Sequence, residues 1–186
     1  MGRFGFGPGR RRLPPAAPNP PPAVARQKLV TEGDSITAAN GYQSPFITAN
    51  PSITAVNRSV GGAVVGSVAD APGTNSLWGR IGTITADNPG ALTILIGAND
   101  LCVASSTADW LARLYGYIDA VKAAIPDIRI GVATVLPSTE ASHVANGHNA
   151  KRAVANAQLR ADVGIHHHFL IPLGDDPLAG LDTAPD

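Results

Sequence analysis

From Lys28 onward, short continuous apolar runs alternate with longer stretches in which apolar residues recur every three or four positions. The runs at 28–32, 53–57, 91–96, 128–135 and 168–173 predict strands. The third run, Ala91-Leu92-Thr93-Ile94-Leu95-Ile96, is apolar almost throughout, which suits a strand buried on both faces. Helical spacing is clearest over 107–125, where Leu111, Leu114, Ile118, Val121 and Ile125 share one face. Ser106, with Asp109 three residues on, marks the start of that helix, and Pro126 follows its end. A second helix is predicted over 147–163, with Ala150, Val154, Ala157 and Ala161 on one side, and a weaker one over 75–86. Strands alternating with helices predict an α/β fold. The expected architecture is a three-layer α/β/α sandwich, flavodoxin-like, with a central parallel sheet of about five strands and helices on both faces.

The first 27 residues follow neither pattern. They carry seven prolines and five arginines and offer little to pack. They read as a disordered Pro/Gly/Arg-rich leader, with residues 28–186 as the single domain. A basic tether to an anionic partner is the alternative, through a weak patch. Residues 1–28 hold six of the fourteen basic side chains and no acid, so the remainder, with eight basic and fourteen acidic residues, carries −6. That balance argues against a nucleic-acid-binding surface. No apolar stretch approaches the length of a membrane span, and prolines rather than an apolar core follow Arg10-Arg11-Arg12. Neither a membrane segment nor a secretory signal is therefore expected, which leaves a cytoplasmic location by default. The lone Cys102 excludes an internal disulfide framework and a multi-cysteine metal site.

In an open parallel sheet, ligands bind beyond the carboxyl ends of the strands. The expected strand ends here are Gly33-Asp34-Ser35, Asn57 to Gly62, Gly97-Ala98-Asn99-Asp100 and Pro137-Ser138-Thr139. A serine directly after a strand and a glycine can present its hydroxyl at the sheet edge, with its own N–H near a helix N-terminus. Gly62 lets a backbone N–H approach a substrate oxygen unobstructed, and Asn99 can donate a side-chain N–H to the same oxygen. Together these donors would make an oxyanion hole. Each residue also has a plainer reading. Ser35 could be a helix N-cap, Gly61-Gly62 a turn, and Asn99-Asp100 a turn or cap. Asp34 and Asp100 read as structural hydrogen-bonding residues, and Cys102 as a small apolar filler.

The motifs together resemble a known family. Gly33-Asp34-Ser35-Ile36-Thr37 after a first strand is similar to the first block of the SGNH (GDSL) hydrolase superfamily. Asn57-Arg58-Ser59-Val60-Gly61-Gly62 resembles its second block, and Gly97-Ala98-Asn99-Asp100 its third, G-x-N-D. Order and spacing agree over roughly residues 28–175. The resemblance implies an SGNH-type fold with Ser35 as nucleophile, and with the N–H groups of Ser35 and Gly62 and the Asn99 amide around the oxyanion. It implies neither metal nor organic cofactor.

The family's last block, D-x-x-H, supplies the histidine that takes the serine proton and the aspartate that orients it. The 186 residues contain no D-x-x-H. The expected cause is truncation near Asp182-Thr183-Ala184-Pro185-Asp186, with a degenerate homologue as the alternative. His143 and His148, in the loop after the fourth strand, are remote substitutes for the base. His166-His167-His168 alternates along a strand, so its rings cannot converge on a metal, and a strand-start or surface cluster is expected.

The implied function is a serine esterase or acetylhydrolase acting on a small acyl ester or acylated carbohydrate, weak or inactive without its base. The alternative is a non-catalytic binding or structural module of the same fold. A flavodoxin-like nucleotide binder is disfavoured, because no phosphate-binding glycine loop is present.

Overall fold

The computed structural model describes residues 27–39, 43–103 and 106–175. The expected leader, apart from Gln27, and residues 176–186 lie outside the described residues. Five parallel strands form one sheet: β1 (Lys28–Gly33), β2 (Thr54–Asn57), β3 (Ala91–Leu95), β4 (Arg129–Ala133) and β5 (Phe169–Ile171). Their order is β2-β1-β3-β4-β5, the doubly wound arrangement expected. All five lie within or beside the predicted runs.

The helices are α1 (Ser35–Ala38), α2 (Gln43–Ala49), α3 (Leu77–Asp87), α4 (Ala98–Leu101), α5 (Thr107–Ala124), α6 (Ala141–Ala145) and α7 (His148–Ala161). Helix α5 starts as expected, with the Ser106 hydroxyl accepting the Asp109 N–H at 3.1 Å. Its apolar face, including Leu111, Leu114, Ile118 and Val121, is buried.

Alternation along the strands sorts the layers. Val30, Leu92, Ile94, Ile130 and Val132 enter one core with residues of α3, α5 and α7. The intervening positions face the other way. There the Gln43 amide of α2 donates to Thr31 Oγ1 at 3.0 Å, and an apolar groove of about 380 Å³ opens between Phe46, Leu29, Thr93 and Phe169. Helices therefore stand on both sheet faces. Phe169 packs directly over Gly131, where a Cβ would come within 2.7 Å of the ring and force it to shift.

The buried face of α7 differs from the expectation. Ala150, Ala157 and Ala161 are exposed, and Val154 is 61% exposed. His148, Ala155, Asn156 and Leu159 are buried instead. The cause is polar. The Asn156 amide accepts the Val135 N–H at 2.8 Å and donates to the Val135 carbonyl at 3.0 Å. It completes the backbone bonding just beyond β4, which a search for apolar periodicity does not register.

Candidate active site

Strands β2, β1 and β3 are neighbours, so the three motif-bearing ends sit side by side at one edge of the sheet. The turn after β1 is tightly defined. Gly33 pairs with Leu95, and a Cβ on Gly33 would collide with the Leu95 carbonyl oxygen and lie 2.6 Å from Thr37 Oγ1. Only glycine lets β1, β3 and α1 meet this closely. Asp34, not Ser35, is the N-cap of α1, its carboxylate accepting the Ile36 N–H at 3.0 Å. Ser35 is the first helical residue and is exposed. Its N–H has no acceptor within the helix. Helix α1 is a single turn, so its end offers free N–H groups rather than a sizeable dipole.

The loop after β2 is bonded on both sides. Toward β1, Arg58 N–H donates to the Thr31 carbonyl at 2.8 Å and Val60 N–H to the Gly33 carbonyl at 3.2 Å. The Asn57 amide reaches the Thr37 carbonyl of α1 at 3.0 Å, and the Arg58 guanidinium holds Asp87 at 2.8 and 3.0 Å. Gly62 has φ +73°, a left-handed turn that favours glycine. The Asn75 amide donates to the adjacent Gly61 carbonyl at 2.9 Å.

Toward β3, the same loop is clamped by α4. Asn99 Nδ2 donates to the Ala63 carbonyl at 2.9 Å, and the Asp100 carboxylate accepts the Val65 N–H at 3.0 and 3.3 Å. The first bond orients the Asn99 amide and occupies one of its two N–H groups, leaving the second to serve another acceptor. Asp100 is buried, and desolvation pushes its carboxyl up to about 6. The charge of Asp34 pushes the same way, while the Val65 N–H and Arg113 oppose it. Burial likewise raises Asp34. Both aspartates are committed to backbone N–H groups, as expected of structural residues. Gly97, at φ +125°, has no room for a Cβ, which would lie 2.9 Å from both Trp110 and Val135. Cys102, half-buried, directs its thiol to the Asn99 carbonyl at 3.0 Å.

Four of the five histidines are engaged by other groups. His143 Nδ1 meets Ser138 Oγ at 2.9 Å, and its Nε2 lies 3.5 Å from Glu140. His148 is fully buried, with Nε2 against the Leu136 carbonyl at 3.1 Å, and desolvation holds it below the usual histidine range. His166 stacks on Tyr115 with ring centroids 4.0 Å apart. His168 Nδ1 accepts the Ile130 N–H at 3.0 Å. His167 is buried rather than on the surface. Among the described residues, no group of three histidine, cysteine or carboxylate side chains could hold a metal ion. No helix among them is long and apolar enough to cross a membrane.

A parallel α/β sheet with a serine turn at the end of β1, interlocked with a glycine loop and an Asn-Asp helix start, defines an SGNH-type fold. The chain belongs to the GDSL-like Lipase/Acylhydrolase family, a family of hydrolases, whose pattern matches residues 33–186. Among solved structures it is similar to a lipolytic protein of the G-D-S-L family from Veillonella parvula. That likeness has 14% identity and a TM-score of 0.62, over 85% of this chain and 84% of the other. It is also similar to the psychrotrophic esterase EstA from a Pseudoalteromonas species (18% identity, TM-score 0.57, 83% and 81% covered). A third likeness is to the lipase/acylhydrolase from Enterococcus faecalis (16% identity, TM-score 0.61, 82% and 78% covered). At these identities the structures speak to the fold. No curated protein matches the chain.

Proposed function

We propose that the chain is a serine ester hydrolase in which Ser35 is the nucleophile. The observation that carries this reading is the double anchoring of the Gly62 loop. One side is bonded to the strand that ends at Ser35, and the other to the helix that bears Asn99. In this reading Ser35 Oγ attacks the acyl carbonyl, and the N–H groups of Ser35 and Gly62 with the free N–H of Asn99 hold the oxyanion. The alcohol leaves with a proton, and water then releases the acid from the acyl-serine. The substrate class is a small acyl ester or an acylated carbohydrate.

The 186 residues hold no D-x-x-H, and His143 and His148, which lie in α6 and at the start of α7 rather than in a loop, are both bonded to other groups. Without a base to take its proton, a serine hydroxyl is a weak nucleophile. Slow turnover is therefore expected of this chain. The same observation favours a second reading, a non-catalytic module of the SGNH fold. Hydrolysis of 4-nitrophenyl acetate and of an acetylated sugar separates the two. The enzyme reading expects slow release that Ser35→Ala abolishes and that Asn99→Ala lowers by about 10²-fold or more. Equal rates for the protein and Ser35→Ala would favour the module.

A further inference from the structure

Three residues before Ser35, β1 carries a carboxylate into the core. Glu32 has no exposed surface. Arg80 Nε of α3 donates to its Oε1 at 3.1 Å, and the Tyr117 hydroxyl of α5 donates to its Oε2. Tyr117 is itself fully buried and packs edge-on to Trp78 of α3, with ring centroids 5.9 Å apart. One carboxylate thus ties the last turn of β1 to both helices behind it.

We propose that Glu32, Arg80 and Tyr117 form a buried strut that positions Ser35. The inference rests on the nucleophile reading above. Its geometry is short and stiff. Between Glu32 and Ser35 stand only Gly33 and Asp34. Gly33 is wedged against Leu95 and Thr37 without room for a methyl group, and Asp34 is fixed as the α1 cap. A displacement of Glu32 therefore passes along the backbone to Ser35 rather than being absorbed. Cohesion alone does not call for charge here, since well-packed apolar residues can replace a buried ion pair without loss of stability. A carboxylate bonded from two directions adds orientation about the strand axis, which an apolar side chain cannot. Burial raises Glu32 to about 7, with Tyr117 and Arg80 opposing. Among the described residues, the titratable and charged groups facing it are Arg80 from α3 and Tyr117 from α5, while β3 presents Ile94 at the paired position.

The test compares Tyr117→Phe, Glu32→Gln and the paired Glu32→Leu/Arg80→Met, which removes the strut without leaving a lone buried charge. Chemical denaturation first establishes that each variant folds. Ser35-dependent ester hydrolysis is then resolved into kcat and KM. The expected result for folded variants is a loss in kcat of about 10–100-fold with KM changed by less than about twofold, the pattern of a displaced nucleophile. In parallel, the backbone amide of Ser35 is followed by NMR against pH. In the protein it should titrate near pH 7, and in Glu32→Gln that inflection should vanish. Unchanged kcat in a folded paired variant, or an identical Ser35 titration in Glu32→Gln, would overturn the strut. The NMR arm needs no turnover. If Ser35→Ala and the protein hydrolyse ester alike, the nucleophile reading fails while the strut is still decided.

Discussion

Gly33→Ala is the sharpest perturbation of the turn that carries Ser35. The backbone of Gly33 is not in the left-handed region, so the effect is steric alone. The new methyl group would collide with the Leu95 carbonyl oxygen and lie 2.6 Å from Thr37 Oγ1, with the Leu95 carbonyl carbon at 3.1 Å. The obstructing Leu95 atoms are backbone of the central strand, so they cannot rotate away. The strand pair must separate, weakening the Gly33–Leu95 register and the long Asp34 N–H bond to the Leu95 carbonyl at 3.4 Å. Overpacking of a core costs about 1–3 kcal/mol, and this site belongs at the upper end. For a domain of this size, about 3 kcal/mol corresponds to a fall in Tm of about 6–12 °C. Gly82→Ala in α3 is the control, because a Cβ there meets nothing within 4 Å. It should gain about 0.5–1 kcal/mol from helix propensity. Urea denaturation of the three proteins reads both values. Gly33→Ala within about 0.5 kcal/mol of the parent would refute the account of how β1, β3 and α1 meet.

Gly62→Ala has space, its nearest neighbour being Asn75 Nδ2 at 3.6 Å, but keeps φ +73°, so denaturation should show a loss of about 1 kcal/mol from backbone strain alone. Asp100 has a folded pKa raised to about 6 from 3.8, so its contribution is fully present below pH 3.8 and lost as pH rises through about 6. Asp100→Asn keeps an acceptor for Val65 N–H and should flatten the stability profile across that window by up to about 3 kcal/mol, measured by denaturation at stepped pH. Burial holds His167 below the ordinary histidine value of 6.5. The unfolded chain therefore takes up the proton first, and stability falls as pH drops below 6.5. His167→Leu should reduce that acid sensitivity, read as Tm against pH.

The strands were legible because a parallel sheet covered on both faces makes nearly continuous apolar runs, and α5 because its face is aliphatic. Helix α2 was not. Ser44, Pro45 and Thr48 give Gln43–Ala49 little helical character, and it is anchored through Gln43, which bonds Thr31 Oγ1 and the Thr37 carbonyl. The face of α7 was misread because alanines face solvent while His148 and Asn156 are buried. The motif ends were legible as local patterns, and so was the absence of D-x-x-H. The clamps between them were not, since Asn99–Ala63 and Asp100–Val65 join residues 36 and 35 positions apart. Glu32 gave no signal for the same reason. A glutamate in a short strand reads as surface until Arg80, 48 residues away, is seen beside it.

Covalent capture decides whether Ser35 is the nucleophile. The protein is incubated with a 4-nitrophenyl alkylphosphonate, digested with trypsin and mapped by mass spectrometry. A slow adduct is expected on the Leu29–Arg58 peptide, assigned by fragmentation to Ser35, absent from Ser35→Ala and formed more slowly in Asn99→Ala. An adduct at another serine such as Ser138, or no labelling of Ser35 above the level in Ser35→Ala, would contradict it.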